Sequence, residues 1–247
     1  MKNTNCICYI EGTNYDLSGI KVTFKSLREH YNDLITVLYK NVDEKLLTFL
    51  RSQNVNCIDC SEYKVTFNTS PYNNKVIYSY LFLRKNKDVL QNCTILLCDI
   101  SDIYFKCNPF DLFTGQFTLF LEDKHFRHCD CNSTWINICY GPVVLNSMLD
   151  KIVVNAGIYL SNYFELLEFM QLMVKEMSVI LGKINYPIVE QAIVNKLVYF
   201  DNAKCFLDSC NVNNMAQQIK TSIDNNINHQ YKVFPSIKDE LYIKYDI

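Results

Sequence analysis

The strongest constraint on the fold is an alternation of short apolar runs with amphipathic segments over residues 6–59. Residues 6–10, 33–39 and 55–59 have the composition of strands. Residues 17–30 and 43–52, which lie between them, carry apolar side chains at helical spacing. Strand, helix, strand, helix, strand is the pattern of parallel strands joined by crossover helices, so the sequence predicts a parallel α/β layer.

A third helix and a fourth strand continue this pattern, and two carboxylates follow the strand. Residues 73–85 have roughly helical spacing, and the apolar strand 94–98 is followed by Asp99 and Asp102 in the stretch DISD. A buried carboxylate is costly unless water, hydrogen-bond donors or a cation compensate its charge. Open α/β sheets bind ligands outside the carboxyl ends of their strands, which makes the pair a candidate ligand site. Aspartates that cap a loop are the alternative interpretation.

The rest of the chain predicts more elements of both kinds within one domain. We expect a strand over 117–122, a partly helical segment over 133–149, a strand over 151–160, an amphipathic helix over 164–181, and a short helix and strand over 187–200. No internal repeat or long linker interrupts them. With 247 residues, 49% of them hydrophobic, the chain is predicted to form a single domain over residues 1–247.

Composition argues against several classes of partner. A formal net charge of -2 provides no broad positive field for a nucleic acid. No run approaches the roughly 20 apolar residues of a transmembrane segment, and no signal-peptide core follows the first residues, so we expect a cytoplasmic protein. The 12 cysteines lie mostly in apolar strand-like or helix-like contexts, which predicts free thiols. Cysteines in CIDC (57–60) and HCDC (128–131) could suggest zinc, but we expect ordinary thiols there too.

Four stretches in order resemble one enzyme family: LLCDISDIYFKCNPF (96–110), VNAGIYLSN (154–162), EQAIVNKL (190–197) and HQY (229–231). They are similar to nucleotide-sugar glycosyltransferases of the GT-A fold, in the glycosyltransferase family 8-like superfamily. CYIEGTNYD (8–16) also resembles the opening nucleotide-binding unit of these enzymes, so the resemblance covers nearly the whole chain. It implies an α/β fold with a Rossmann-like, mixed but mainly parallel sheet flanked by helices. It also implies transfer of a sugar from a UDP- or GDP-sugar to a glycan, a glycoconjugate or another hydroxyl acceptor.

The resemblance further implies a divalent metal, Mn²⁺ or Mg²⁺, bound by Asp99, Asp102 and His229. These ions prefer hard oxygen ligands and complete their shell with substrate phosphates and water. The spacing here is DxxD, whereas the family usually has DxD. If only the shorter spacing binds metal, Ser101 takes the second place beside Asp99.

Donor-binding and catalytic residues also follow from the resemblance. The donor-binding residues are Gly12, Thr13, Asn14, Tyr15, Lys75, Asn155, Ala156, Gly157 and Gln191. Catalysis needs a carboxylate to take the proton of the acceptor hydroxyl, or another way to hold the leaving group in a retaining enzyme. Glu122, Asp123 and Glu190 are the candidates, and the sequence does not choose among them.

Two other functions remain open at this point. One is a non-catalytic protein that binds a nucleotide sugar or a glycan on the same fold, which the DxxD spacing and Glu190 in place of the family's Asp would favour. The other is a nucleotidyltransferase acting on sugar phosphates. The second is disfavoured because no glycine-rich phosphate loop occurs near the N-terminus.

Overall fold

The fold is built on a six-stranded sheet. The computed structural model describes residues 3–63, 65, 69–101, 103–113, 115–201, 217–222, 230–233 and 242–244. The strands of this part of the chain are β1 (Asn3–Glu11), β2 (Leu34–Lys40), β3 (Asn56–Asp59), β4 (Cys93–Cys98), β5 (Ile103–Phe105), β6 (Thr118–His125), β7 (Ile152–Asn162), β8 (Gln217–Ser222), β9 (Gln230–Val233) and β10 (Tyr242–Lys244). The large sheet has the order β3-β2-β1-β4-β7-β6. Strands β3, β2, β1 and β4 are parallel, and β7 is antiparallel to both of its neighbours.

Helices cover both faces of this sheet. The described helices are α1 (Leu17–His30), α2 (Glu44–Ser52), α3 (Pro71–Lys85), α4 (Lys87–Leu90), α5 (Asp130–Tyr140), α6 (Pro142–Met148), α7 (Tyr163–Leu181) and α8 (Glu190–Tyr199). Short 3₁₀ turns occur at Pro109–Leu112 and Phe126–His128. None of the described helices combines the length and apolar character needed to cross a membrane.

Alternate residues of the strands supply two separate hydrophobic layers. In β1, Cys6 and Cys8 pack on the side of α1 and α2, whereas Ile7 and Tyr9 pack on the side of α3, α7 and α8. This follows from the period of two in a strand, which sends successive side chains to opposite faces. Both faces are buried, as expected for parallel strands covered by helices.

Side-chain caps fix where the helices begin. The Asp16 carboxylate accepts hydrogen bonds from two backbone N–H groups at the start of α1, and the Asp43 carboxylate accepts one, from Leu46, at the start of α2. Ser70 caps α3, whose first residue is a proline, and Asn162 caps α7. Each cap satisfies N–H groups that have no partner within the helix.

A small second sheet lies beside the end of β4. Its order is β5-β10-β8-β9, with β10 antiparallel to β5 and parallel to β8. Strand β5 comes directly after Asp102 and β9 comes directly after His229. Both strands belong to this second sheet. Asp102 and His229 themselves lie outside the described residues.

The predicted alternation and the mixed, mainly parallel sheet flanked by helices are confirmed. Two expectations were wrong. Residues 187–200 contain one helix, α8, and no strand, because the Gln and Asn side chains at helical spacing bind backbone of the neighbouring strand β7. Strand β6 continues to His125, so Glu122 lies within a strand and not at its end. The single-domain assignment stays a prediction.

Two aromatic residues of α7 test how much this helix depends on its buried face. Phe169 is 1% exposed and contacts Phe117 edge-on, whereas Phe164 is 55% exposed. We expect Phe169→Ala to lower the free energy of unfolding by about 3–5 kcal/mol, because it leaves a cavity in the core. Phe164→Ala should change it by about 0.5 kcal/mol or less. Urea denaturation of both variants checks this, and equal midpoints would contradict the packing described.

Candidate functional site

The carboxylate of Asp99, directly after β4, is paired with an ammonium group. Lys75 of α3 places its Nζ 2.5 Å from Asp99 Oδ1 and also donates to the carbonyl of Ala156 at 3.1 Å. The two side chains are 10% and 21% exposed, respectively. The Asp99 backbone N–H donates to the carbonyl of Gly157 at 2.7 Å. A half-buried carboxylate at the end of a buried strand is therefore compensated by a fixed cation.

A second carboxylate, Glu11, ends the neighbouring strand β1. It accepts hydrogen bonds from Tyr9 Oη at 2.7 Å and Asn74 Nδ2 at 2.6 Å, and Lys40 Nζ lies 3.1 Å from it. Burial acts to raise the pKa of Glu11, but these hydrogen bonds and the Lys40 charge outweigh it and hold the pKa below its ordinary value of 4.5. Loss of solvent, together with the hydrogen bond to the same carboxylate, raises the pKa of Tyr9. Glu11 is thus fixed in its charged form at neutral pH.

Three consecutive side chains in the first turns of α3 hold this region together. Asn73 Oδ1 accepts the backbone N–H of Val189, just before α8, at 3.0 Å. Asn74 binds Glu11, and Lys75 binds Asp99. Because Pro71 and the Ser70 cap fix where α3 begins, these three contacts share one local frame.

We call the region around Glu11, Lys40, Lys75 and Asp99 the crevice. It lies at the carboxyl ends of β1 and β4, which are adjacent and parallel. From β1 the chain moves outward to β2 and β3, and after α3 it returns to the other side of β1 as β4. Such a reversal of strand order is the usual ligand-binding place in open α/β sheets.

Strand β7 borders the crevice with residues 155–157, which have no register partner among the described strands. Its register with β6 jumps from Tyr159 to Val154, and its pairing with β4 covers residues 158–162. Side chains of α8 supply hydrogen bonds to this part of the β7 backbone. Asn195 binds both the N–H and the carbonyl of Val154, at 2.7 and 2.9 Å. Gln191 accepts the N–H of Ala156 at 2.9 Å. Gln191 and Asn195 are four residues apart, so both project from one side of α8.

Glu122 of β6 joins the same hydrogen-bond network. Its Oε1 accepts from Asn155 Nδ2 at 3.2 Å and from Gln191 Nε2 at 3.3 Å. Asn155 Oδ1 in turn accepts the N–H of Gly157 at 2.7 Å. The Gly157 carbonyl binds the Asp99 N–H, so a continuous chain of contacts runs from Glu122 to the crevice.

The other two catalytic candidates are placed differently. Glu190 is the first residue of α8 and is buried. Helix α8 packs against α5, where burial, with a smaller contribution from the Glu190 charge, raises the pKa of Cys139 to about 12. Asp123 belongs to β6, and its side chain is outside the described part of the structure.

The predicted nucleoside-binding residues form the loop between β1 and α1. Gly12 has a φ of +85°, a conformation that favours glycine, and its N–H donates to the Lys40 carbonyl at 2.9 Å. Thr13 and Asn14 are exposed. The Tyr15 hydroxyl donates to Asp43, and the loss of solvent together with this carboxylate raises the pKa of Tyr15 to about 12. Hydrogen bonds therefore connect the loop to the last residue of β2 and to the residue that caps the start of α2.

Of the three predicted metal ligands, the described residues contain Asp99 alone. Its oxygens are of the hard type that Mg²⁺ and Mn²⁺ prefer, and its position at the strand end suits a ligand. Lys75 Nζ already neutralises one of these oxygens. The cluster of three possible ligands found among the described residues is a different one, the thiols of Cys6, Cys8 and Cys98.

Sequence reasoning missed Glu11, Lys40, Asn74 and Asn195. Glu11 and Lys40 end two strands that were predicted to be parallel, so their meeting at one sheet edge could have been inferred. Asn74 had no such indication, because its partner is 63 residues away. Asn195 belongs to the quoted stretch EQAIVNKL, but its contact with Val154, 41 residues away, was not predicted.

A cavity of about 430 Å³ lies at the opposite edge of the sheet. Residues 32–34 and 54–56 line it, where β2 and β3 begin. Arg28 uses its donors on the backbone carbonyls of Gln53, Asn54 and Asp33 there. The Arg28 guanidinium thus stabilises the turns that precede β2 and β3, and the functional site is assigned to the crevice instead.

No family model and no curated protein matches the chain. Among solved structures, it is similar to the apo form of the glycosyltransferase GlyE from Streptococcus pneumoniae TIGR4, with a TM-score of 0.48 and 16% sequence identity. The similarity covers 81% of this chain and 43% of that chain, so this chain spans less than half of the length of GlyE. A similarity of this size carries no functional weight, and the function must be inferred from the residues of the crevice.

The two bonds from Asn195 to Val154 predict a measurable loss of stability. In Asn195→Ala the buried Val154 N–H loses its acceptor, so the free energy of unfolding should fall by about 1–3 kcal/mol. Asn137→Ala, at an exposed position of α5, is the matched control and should change it by about 0.5 kcal/mol or less. Urea denaturation gives both values. A loss no larger than that of the control would show that α8 does not support β7.

The lowered pKa of Glu11 predicts a specific acid response. A carboxylate whose pKa is lower in the folded state stabilises the fold at neutral pH, and this contribution is lost as pH falls through the folded pKa. Glu11→Gln should therefore be less stable than the natural protein at pH 7, and the difference should shrink below pH 4.5. Denaturation from pH 7 to pH 3 measures it, with Glu29→Gln as an exposed control. A difference that is constant with pH would contradict the hydrogen bonds assigned to Glu11.

Proposed function

We propose that this chain is a glycosyltransferase that moves a sugar from a UDP- or GDP-sugar to a glycan, a glycoconjugate or another hydroxyl acceptor, in a reaction that depends on Mn²⁺ or Mg²⁺. The observation that carries the proposal is the crevice. The adjacent parallel strands β1 and β4 lead to Glu11, the last residue of β1, and to Asp99, the residue after β4, and each carboxylate is paired with a lysine.

The crevice can hold an anion. Lys40 and Lys75 place two ammonium groups at the strand ends, and they are 28% and 10% exposed. Each already has a carboxylate partner, so the crevice holds its lysines in place before a ligand arrives. Fixed cations aimed at a diphosphate stabilise it without reorganisation at the moment of reaction.

Asp99, together with Asp102 and His229, would hold the divalent ion. When bound, the ion supplies positive charge that neutralises the departing nucleotide diphosphate. Lys75, which is bonded to Asp99 Oδ1, would keep this carboxylate oriented for the ion and would add positive charge beside a donor phosphate. Lys75 and Asp99 thus have linked roles in this proposal.

The donor would lie along the loop and the unpaired part of β7. Gly12, Thr13, Asn14 and Tyr15 border the crevice on the side of β1, suited to the nucleoside. On the other side, residues 155–157 of β7 and Gln191 are suited to the sugar. Their support is the hydrogen bond of Ala156 to Gln191, which fixes backbone that has no strand partner.

Glu122 is our candidate for the carboxylate that accepts the proton of the acceptor hydroxyl. It is bound by Asn155 and Gln191, the same residues that support the donor-binding segment of β7. Glu190, at the buried start of α8, and Asp123, on the same strand as Glu122, remain alternatives. A fixed orientation of the carboxylate is what general base catalysis requires.

One observation favours the non-catalytic alternative. Lys75 already neutralises Asp99, so the crevice of this fold could bind a nucleotide sugar through its lysines without a metal and without turnover. Measuring turnover and binding on the same protein separates the two functions.

The proposal predicts slow hydrolysis of a nucleotide sugar. The full chain is incubated with Mn²⁺ and a panel of UDP- and GDP-sugars, and released nucleotide is measured with and without a chelator. We expect hydrolysis of at least one donor, abolished by the chelator, because water replaces the acceptor. Donor binding without any hydrolysis supports the non-catalytic binding protein. If no donor is bound and none is hydrolysed, both proposed functions are contradicted.

Variants assign the roles within this assay. Glu122→Gln should lower hydrolysis by about 10²-fold or more and keep donor affinity, since it removes a base and not a binding group. Asp99→Asn should remove metal-dependent donor binding. Asp88→Asn, at an exposed position of α4, is the matched control and should change neither.

A further inference from the structure

Three cysteines meet in the hydrophobic layer between the sheet and α1. Cys6 and Cys8 are two residues apart on β1 and share a face, and Cys98 on β4 is the register partner of Cys8. The Cys98 sulfur lies 3.8 Å from that of Cys6 and 3.5 Å from that of Cys8, and all three sulfurs lie within 4.8 Å of one another. We call this group the thiol triad.

The thiol triad has the dimensions of a three-sulfur binding site. Metal–thiolate bonds of about 2.3 Å at tetrahedral angles place two sulfurs about 3.8 Å apart. The two measured edges are within a few tenths of an ångström of that value. The third edge, between the sulfurs of Cys6 and Cys8, is at most 4.8 Å, so surrounding one ion shortens it by no more than about 1 Å.

The surroundings of the triad are apolar and closed to solvent. The three cysteines are 0–1% exposed and belong to the same core cluster as Ile20 and Phe24 of α1. Zinc almost always has four ligands in structural sites, or an open position for water in catalytic ones. A closed triangle of three sulfurs fits neither arrangement.

Charge decides which ion suits this place. A charged complex in an apolar core is expensive because no water solvates it. Three thiolates around a monovalent or divalent ion leave a net negative charge, whereas three thiolates around a trivalent ion leave none. We propose that the thiol triad is a binding site for one trivalent thiophilic ion of the arsenic(III) class, held by Cys6, Cys8 and Cys98.

The binding reaction balances without an oxidant or a net change of charge. Arsenous acid, As(OH)₃, condenses with the three thiols to give As(S–Cys)₃ and three water molecules, so three S–H and three As–O bonds break while three As–S and three O–H bonds form. Arsenic remains trivalent. The product ties β1 to β4 one residue before Asp99, on the face opposite Lys75.

The same burial sets the kinetics of binding. Arsenous acid reaches the sulfurs only when α1 opens locally from the sheet, because the thiols are fully covered. Binding is then slow, and low urea concentrations that favour local opening accelerate it. Once formed, the three bonds raise the melting temperature, because the folded state holds the three thiols together and the unfolded chain must first bring them together.

The experiment uses the full chain, kept reduced with a phosphine, and sodium arsenite as the probe. After incubation, a monothiol wash removes arsenic held by one or two exposed thiols, and retained arsenic is measured per chain by mass spectrometry. X-ray absorption counts its sulfur neighbours. We expect one arsenic per chain with three sulfurs and no oxygen. Two sulfurs with one oxygen, or no retained arsenic, would overturn the proposal.

Cys8→Ala and Cys93→Ala form the matched pair. Both remove a buried thiol, but Cys93, on the same strand as Cys98, is outside the triad. Retained arsenic should fall at least tenfold in Cys8→Ala and stay unchanged in Cys93→Ala, and an equal effect in both contradicts the assignment.

A second measurement needs no variant, in case Cys8→Ala does not fold. Hydrogen exchange of the natural protein should slow in β1 and β4 after arsenite treatment and stay unchanged in α5. Exchange in β1 and β4 that arsenite leaves unaltered would also overturn the proposal.

Discussion

Residues 155–157 of β7, which have no register partner among the described strands, are the constraint on which the site depends. A buried strand cannot leave its N–H and carbonyl groups without partners, because each one would carry an uncompensated desolvation cost. Between Val154 and Gly157 the partners come from side chains of α8 and α3 and from the backbone of Asp99. The irregular strand therefore fixes α8, α3 and the end of β4 relative to one another.

The start of α3 performs the complementary task on the other side of the crevice. Asn74 and Lys75 are adjacent in sequence, and they bind the carboxylates that end β1 and β4. A shift of α3 by one residue would break both contacts. The pairing of Lys75 with Asp99 also explains how a buried strand can end in a carboxylate, because the ammonium group offsets the loss of solvation.

The two faces of the sheet give β1 and β4 different chemical roles. On the α3 side, their ends carry the charged groups of the crevice. On the α1 side, the preceding residues supply the thiol triad in an apolar layer. Since Cys98 and Asp99 are neighbours, an ion held by the triad would act on the strand end that the proposed donor site uses. The crevice and the thiol triad therefore lie on opposite faces of the same sheet.

Local sequence determined most of the secondary structure and the order of the elements. Apolar periodicity and capping residues act over a few positions, so α1, with its Asp16 cap, was predicted with its observed bounds. The strand-end position of Asp99 followed from the same pattern. Tertiary structure alone decided that Lys75 pairs with Asp99, that Asn195 holds Val154 and that three thiols converge. These contacts join residues 24 to 92 positions apart, and their geometry depends on strand order and register, which local periodicity does not encode.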